Sequence, residues 1–345
     1  MIHNDGSTAC RVEVAAEVGS LAFTPADDSG AARRYHPHAM AVASSPSATF
    51  GWQGFTLVLP EGWNPVKLDG AFDAGYVLIA DLHGPKLGLR WRRAATRKLD
   101  SAAWARRAIE AEVEKAPAGR ARALSLANDT WTGSTLWLDS EPPGRDVWAA
   151  YSVASNRVVE VIYHVPKRDR VLEDLILPAL SDAPVGAARS WSIFDLRCAV
   201  PASYALKTHR LNAGDVGLNF SAGHESLAIR QIALARIALQ RLPLDKWLTG
   251  QETAMQRHYG AAGDAGEIEL TAAQGPAGGP VRGLVRHCHR RRRFSFMRWL
   301  PASIVTIALH DRERDRLVLA QGSDELAVRA LAASALGSTL TPQGR

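Results

Sequence analysis

The sequence predicts an α+β protein made of two tandem units, each a largely antiparallel β-sheet covered by two helices. Short runs in which apolar and polar residues alternate fill most of the chain, and this alternation is typical of half-buried strands. Two helical stretches interrupt these runs in each half. The order of four strands, a helix, four strands and a helix therefore occurs twice, and the helices are expected to cover the apolar face of each sheet.

The two units share landmarks. An alternating run ends at Pro60 in the first unit and at Pro201 in the second, and a helix with one tryptophan follows at Trp104 or Trp247. The landmarks recur about 140 residues apart with small drift, which is what a duplication followed by loop insertions leaves. The alternative is two unrelated β-rich halves that match by chance. We expect a duplication, with each unit a domain in its own right.

Composition sets the expected boundaries. Small and polar residues dominate the start of the chain and bury too little apolar surface to offset the entropy of ordering. The expected parts are a flexible arm at 1–50, the first repeat at 51–182, a linker at 183–190, the second repeat at 191–337 and a loose tail at 338–345.

The first unit opens with a strand at Phe55–Leu59, followed by a turn at Pro60-Glu61-Gly62. Helices are expected at Ala102–Lys115, with Ser101 as the N-cap, and at Val171–Leu180, capped by Asp169. The remaining strands are expected at Val66–Leu68, Gly75–Ala80, Lys86–Arg92, Ala121–Leu126, Ser134–Leu138, Val147–Val153 and Val158–Val165.

The second unit repeats this order. Helices are expected at Leu244–Tyr259, which carries Trp247, and at Asp324–Leu336, with Asp324 near its N-terminus. The strands are expected at Phe194–Val200, Ala205–Leu211, Val216–Phe220, Leu227–Leu239, Glu267–Ala272, Val281–Arg290, Trp299–Leu309 and Arg316–Ala320.

Charge and cysteine content narrow the class of protein. A net charge of +6 favours acidic partners only weakly. Three cysteines are too few and too scattered for a disulfide framework. The absence of a long apolar run predicts no membrane span, and the first residues do not read as a secretory signal. The expected compartment is the cytoplasm, where thiols stay reduced.

The opening phrase Phe55-Thr-Leu-Val-Leu-Pro-Glu-Gly-Trp63, followed by strands, a helix and a second strand block, resembles the PsbP-like superfamily. That superfamily includes photosystem extrinsic subunits, Ran nucleotide-release factors and bacterial proteins with a lipoprotein signal, which this chain does not show. The resemblance covers the topology of each unit. It implies a binding or assembly module, usually without catalysis, and it carries no catalytic residue set to this chain.

The stretch Arg286–Arg298 is unusually rich in arginine. Guanidinium groups match phosphate and carboxylate geometry, and aromatic side chains can stack on bases, so one interpretation is an arm that binds nucleic acid or an acidic protein. The other is a solvated edge hairpin whose positive charges prevent strand-to-strand aggregation. The candidate anion-binding residues are Arg286, Arg290, Arg291, Arg292, Arg293 and Arg298.

Two histidines in this stretch, His287 and His289, are candidate metal ligands together with His310 or His258. A structural zinc ion needs about four ligands, and no second cluster of cysteine and histidine lies nearby in the sequence. We therefore predict no metal and no cofactor.

Ten tryptophans suggest both core and surface roles. Trp104 and Trp247 occupy equivalent helix positions and are expected in the core. The side chains expected on a partner surface are Trp63, Trp91, Phe294 and Phe296. Asp69, Asp73 and Asp81, with Glu61 and His83, are expected mainly to stabilise turns, although an acid–base pair among them is an open alternative.

No catalytic motif stands in the strand-to-helix context that would support it. We therefore expect a non-catalytic binding or assembly module whose partner is a protein, bound in the cleft between the two units. The second hypothesis is a protein that binds nucleic acid or another polyanion through residues 286–298. The third is an enzyme whose site the sequence does not reveal.

Overall fold

The computed structural model describes residues 47–96, 99–113, 119–126, 129–139, 143–165, 169–252, 259–260, 265–271, 280–291 and 301–337. These residues form three antiparallel β-sheets with a few short helices. No helix among them has the length and apolar character needed to cross a membrane.

The first half contains ten strands and two α-helices within the described residues. Its strands are β1 (Ser47–Trp52), β2 (Phe55–Pro60), β3 (Asn64–Gly70), β4 (Ala74–Asp81), β5 (Gly84–Arg93), β6 (Arg120–Ala123), β7 (Trp131–Leu138), β8 (Gly144–Ser152), β9 (Arg157–Val165) and β10 (Ser181–Asp182). Its helices are α1 (Ser101–Val113), a π-helical turn at Leu172–Ile176 and α2 (Leu177–Ala179). β1 begins inside the segment expected to be a flexible arm; residues 1–46 lie outside the described part.

The second half follows without a long break. Its strands are β11 (Arg189–Ile193), β12 (Leu196–Val200), β13 (Ala205–Asn212), β14 (Asp215–Ala222), β15 (Glu225–Ala233), β16 (Tyr259–Gly260), β17 (Gly266–Thr271), β18 (Pro280–Arg290), β19 (Ser303–Asp311) and β20 (Arg316–Gly322). Its helices are α3 (Ala235–Ala238), α4 (Leu244–Gln251) and α5 (Glu325–Ala335).

The two large sheets have corresponding strand orders. The first runs β3-β4-β5-β9-β8-β7-β6, and the second runs β13-β14-β15-β20-β19-β18-β16, with β17 also paired to β18. In each sheet, three strands that are consecutive in the chain lie side by side. The last long strand of that half lies next to the third of them, and the strands that precede it in the chain follow in reverse order. A duplication would leave this pattern, and duplication remains our prediction for the origin of the two halves.

A third sheet joins the halves. Its strand order is β10-β2-β1-β11-β12, so the hairpin β1–β2 from the first half lies beside the hairpin β11–β12 from the second. Gly51 is paired with Ser192 at the junction, and the Ser192 hydroxyl donates to the Thr49 carbonyl at 2.7 Å. A Cβ on Gly51 would lie 2.9 Å from the Ser192 nitrogen, so the close approach of β1 and β11 requires glycine.

One apolar core draws residues from all three sheets. Phe55 of the central sheet packs on Trp91 of the first large sheet with ring centroids 5.2 Å apart. Trp191 of the central sheet packs on Phe220 of the second large sheet at 5.1 Å. The central sheet thus contributes to the apolar core of both large sheets.

Two smaller clusters lie under helices. Trp104 of α1 packs with Ala149 and Val158, which belong to β8 and β9. Trp247 of α4 packs in the same way with residues of β19 and β20. Both tryptophans are buried, which confirms the core role predicted for them.

The predicted α+β class, with two helices covering each sheet, is wrong. Most of the described residues are strand, and the helices are too few and too short to cover the sheets. The segment predicted as helix Val171–Leu180 is a π-helical turn followed by a three-residue helix. The cover expected from helices comes instead in part from the central sheet, because Ser47–Trp52 and Arg189–Ile193 form strands that the sequence analysis did not predict.

Local signals for helix starts were mostly correct. Asp324 accepts hydrogen bonds from the backbone nitrogens of Leu326 and Ala327, and Asp169 accepts one from Val171. Ser101, however, is the first residue of α1 and not its cap. Asp100, one residue earlier, accepts from the nitrogen of Ala103 at 3.0 Å.

In each half, one buried arginine connects the central sheet to the end of that half. Arg157, the first residue of β9, pairs with Asp182, and its side chain is fully buried between the rings of Phe55 and Phe72. It also donates to the Gln53 carbonyl at 2.9 Å.

Arg316, the first residue of β20, occupies the corresponding place in the second half. It pairs with Asp311 at 2.9 Å and donates to the carbonyls of Asp195 and Ala335. Each arginine therefore contacts a hairpin of the central sheet and a carboxylate of its own half.

Candidate functional site

The second half carries a cleft of about 1010 Å³. One wall is the hairpin β17–β18, another is the segment that leads into α4, and the third is the turn between β19 and β20. The lining residues are Leu239, Pro243, Leu244, Asp245, Glu267, Ile268, Glu269, Pro280, Val281, Arg282, Gly283, Leu284, His310, Asp311, Arg312 and Glu313.

Apolar side chains from three elements line part of the cleft. Val281 is buried, whereas Ile268, Leu284, Leu239 and Leu244 are half-buried. A bound ligand could cover the apolar surface that these side chains still expose to water. The cleft can therefore contribute hydrophobic binding energy in addition to polar contacts.

The wall leading into α4 carries further exposed apolar residues next to the cleft in sequence. Leu234, Ile237 and Leu242 have 53%, 61% and 46% of their surface exposed. Leu234 also has a left-handed backbone with a φ of 58°, which is unusual for a leucine. We call Leu234, Ile237 and Leu242 the apolar shoulder.

Leu234 and Ile237 of the apolar shoulder were missed because the sequence analysis placed them in a strand, and Leu242 was assigned to no element. The run Leu227–Leu239 is predicted as one strand, but β15 ends at Ala233 and the left-handed Leu234 turns the chain into α3. A sequence signal was available, since the predicted strand is much longer than its counterpart Lys86–Arg92 in the first half.

The first half is arranged differently at the corresponding place. There the start of α1 lies directly on β7, and a Cβ on Gly133 would lie 2.3 Å from the carbonyl carbon of Ser101. In the second half, the first residues of α4 line the cleft together with β18. The two halves thus differ where the helix meets the sheet.

His310 lies in the cleft wall, where burial lowers its pKa, and nearby Arg312 lowers it further. Asp315 and Asp311 act in the opposite direction without reversing the shift. The imidazole is therefore neutral at pH 7 and adds no positive charge to the cleft.

The predicted anion-binding residues are only partly described. Arg286 donates to Glu252 at 2.7 Å and to the Thr249 hydroxyl at 3.0 Å, and its side chain is only 12% exposed, so its guanidinium is occupied by α4 and the residue after it. Arg291 donates to the Tyr259 carbonyl at 3.2 Å, and Arg290 is half-buried. Arg292, Arg293 and Arg298 lie outside the described residues.

The alternative interpretation of this stretch, an exposed edge hairpin, is wrong for its described part. β18 has β19 on one side and β17 and β16 on the other. Cys288 faces a buried cluster with Tyr259 and Ile304.

The candidate metal ligands do not form a cluster in the described part of the chain. There, no group of three or more histidine, cysteine or acidic side chains is placed to hold a metal ion. His287 lies 3.9 Å from Glu325, His289 is exposed, and His258 is outside the described residues.

Burial raises the pKa of the Cys198 thiol to about 12, so Cys198 is not a reactive thiolate near pH 7.

The predicted aromatic partner surface is wrong for Trp91. Its side chain is 3% exposed, packs on Phe55 and donates to the Ala71 carbonyl at 2.9 Å, because it lies on the face of β5 that packs against the central sheet. Trp63 is half-buried and stacks on Tyr163 with ring centroids 6.0 Å apart. Phe294 and Phe296 lie outside the described residues.

The carboxylates at turns behave mainly as predicted. Asp69 accepts from the nitrogen of Gly70, and Asp81 accepts from the nitrogen of His83 and pairs with Lys86 at 3.1 Å. These contacts stabilise turns.

Comparison with known proteins gives little further guidance. No protein-family model matches the chain, and no curated protein matches it. The solution structure of cyanobacterial PsbP (CyanoP) from Synechocystis sp. PCC 6803 is similar to 43% of this chain over 98% of its own length, with 14% identity and a TM-score of 0.26. The apo structure of the T6SS immunity protein TplEi from Pseudomonas aeruginosa is similar to 83% of this chain over 90% of its own length, with 12% identity and a TM-score of 0.28. The likeness to PsbP is therefore weak, and neither structure supports an argument about what this chain does.

Proposed function

We propose that this chain is a module that binds another protein through the cleft of its second half and the apolar shoulder beside it. The supporting observation is a cleft with apolar side chains in its lining, next to three exposed large apolar residues in the chain. Exposed apolar residues that lie together commonly mark interaction surfaces. Clefts that combine apolar walls with a few polar groups are the usual binding sites.

A protein segment fits this surface better than a small molecule does. Part of the apolar area belongs to Ile237 and Leu242, which are not among the residues that line the cleft. A ligand confined to the cleft would leave these side chains in water. A peptide segment can fill the cleft and cover the shoulder at the same time, and burying the exposed half of each such side chain contributes on the order of 1 kcal/mol.

Selection of binders from a library of random peptides tests this proposal. We expect selected peptides to bind the wild-type protein and to lose at least about tenfold in affinity for an Ile237→Asp/Leu242→Asp variant, because two apolar contacts are removed. A Val66→Asp/Val153→Asp variant is the matched control, since those side chains are 61% and 64% exposed in the first half. Fluorescence anisotropy of labelled peptides measures the affinities.

Either of two results would contradict the proposed function. The selection could yield no peptide that binds the wild-type protein. Alternatively, the control variant could lose as much affinity as the shoulder variant, which would place the binding elsewhere or make it non-specific.

A further inference from the structure

Acidic residues outnumber basic residues around the cleft. The acidic lining residues are Asp245, Glu267, Glu269, Asp311 and Glu313, and the basic ones are Arg282 and Arg312. The whole chain has a net charge of +6, so the cleft has the opposite sign to the molecule.

Some of these carboxylates already have partners. Asp311 is buried and pairs with Arg316 at 2.9 Å and with Arg314 at 3.3 Å. Glu269 lies 3.6 Å from Arg282, and both side chains are largely exposed, so this pair exchanges easily for another.

Three carboxylates remain available to a ligand. Asp245, Glu267 and Glu313 are exposed, and none of them forms an ion pair with another described residue. Asp245 lies in the first turn of α4, where the helix dipole offsets part of its charge. Glu267 on β17 and Glu313 in the β19–β20 turn therefore supply most of the negative charge that is outside ion pairs, and Arg312 next to Glu313 offsets part of it.

The apolar lining and the exposed acidic residues of the cleft indicate the chemistry of the partner. Resting on the proposed function, we propose that the bound segment is cationic: a stretch of the partner protein in which lysine or arginine side chains accompany apolar ones. The apolar side chains contact the lining and the shoulder, and the cationic side chains meet Glu267 and Glu313. An acidic segment would place like charges together, which disfavours binding.

The charge also predicts how binding depends on salt. Exposed ion pairs are screened over about 8–10 Å at physiological ionic strength, whereas apolar contacts are not. The affinity of a cationic segment should therefore fall as salt is added and then level off at the apolar contribution. Complementary charge also raises the association rate at low salt.

Two synthetic peptides of about ten residues test the proposal, one alternating lysine with valine and the other alternating glutamate with valine. The lysine peptide should bind the wild-type protein, and a Glu267→Gln/Glu313→Gln variant should weaken this binding at least about fivefold, as expected for two partly exposed charge contacts. A Glu61→Gln/Glu110→Gln variant is the matched control, because both side chains are exposed in the first half and make no ion pair there with a described residue. The control should bind as wild type.

Binding of the glutamate peptide as tightly as the lysine peptide would overturn the proposal, and so would an unchanged affinity of the Glu267→Gln/Glu313→Gln variant. If spermine displaces the lysine peptide and the shoulder variant binds that peptide normally, the site is a simple cation site and the proposal is also overturned. Failure of the two ideas can be told apart. Random peptides that need Ile237 and Leu242 but show no excess of lysine or arginine would contradict the charge and leave the proposed function standing.

Discussion

Arg157 shows how strongly single residues can join the parts of this molecule. It is fully buried, lies between two phenylalanine rings and shares hydrogen bonds with a carboxylate and with backbone carbonyls far away in sequence. A buried pair of this kind adds little over an apolar pair of the same size, but breaking it leaves a charge without a partner. Removal of Arg157 alone would therefore leave the Asp182 carboxylate buried without its partner.

We expect Arg157→Met to lower the free energy of unfolding by roughly 3–5 kcal/mol, because Asp182 stays buried without its cation. The double variant Arg157→Met/Asp182→Leu should recover part of this loss. Arg93→Met is the control, since the Arg93–Asp73 pair is more than half exposed and should contribute less than about 1 kcal/mol. Urea unfolding curves measure all three, and an equal effect of Arg157→Met and Arg93→Met would contradict the prediction.

At this scale the sequence predicted local features better than distant ones. The capping roles of Asp169 and Asp324 and the burial of Trp104 and Trp247 depend on near neighbours or on side-chain size, and both kinds of signal are visible in the sequence. The partner of Arg157 lies 25 residues away and depends on how the sheets meet. The phrases Asn156-Arg157-Val-Val and Asp315-Arg316-Leu-Val were a usable but overlooked signal.

Among the elements, β1 and β11 matter most for the architecture, because they join the two halves in one sheet. They are short and belong to the two hairpins that build the central sheet. Residues 47–50 of β1 were assigned to a flexible arm because small and polar residues dominate that segment, and residues 189–190 of β11 were assigned to a linker. Each strand pairs along its length with the other strand of its own hairpin, and β1 and β11 meet at Gly51 and Ser192. Periodicity within either segment does not reveal the contact across the halves.

The pairing of β1 with β11 predicts a strong effect of one added methyl group. Gly51→Ala should destabilise the protein by about 1–3 kcal/mol, because the new Cβ would lie 2.9 Å from the Ser192 nitrogen. Gly217→Ala is the matched control in β14, where the nearest atom to a new Cβ is 3.7 Å away. The control should be neutral or slightly stabilising, since alanine restricts the unfolded chain. Equal midpoints of urea unfolding for the two variants would contradict this prediction.

For the whole molecule, the central sheet changes the meaning of the two-unit prediction. The sequence correctly indicated many antiparallel strands, because alternation and turn residues are local. It gave the wrong fold class, because the helices are too few and too short to cover the sheets and one apolar core draws residues from all three sheets. The cleft was expected between the units, whereas the described cleft lies within the second half.

Three histidines with lowered pKa values predict how the stability of the molecule depends on pH. Burial lowers the pKa of His164, His209 and His310, with Arg145 adding to the effect at His164 and Asp69 opposing it at His209. As pH falls from 7 to 5, the unfolded chain, with histidine pKa values near 6.5, takes up protons before the folded protein does. The free energy of unfolding should therefore decrease over this range.

Urea midpoints measured between pH 7 and pH 5 check this dependence. A variant with His164→Gln, His209→Gln and His310→Gln should show a flatter curve, because the three groups no longer titrate. A midpoint for the wild type that rises on acidification would contradict the prediction.

The hydrogen bond between Thr49 and Ser192 joins positions 143 residues apart, and this separation has a consequence for synthesis on the ribosome. At about 5–20 residues per second, β1 is synthesised roughly 7–30 s before its neighbour β11. During that time one edge of the hairpin β1–β2 has unpaired backbone groups that another nascent chain could pair with. The central sheet can be completed only after translation has passed β12 in the second half.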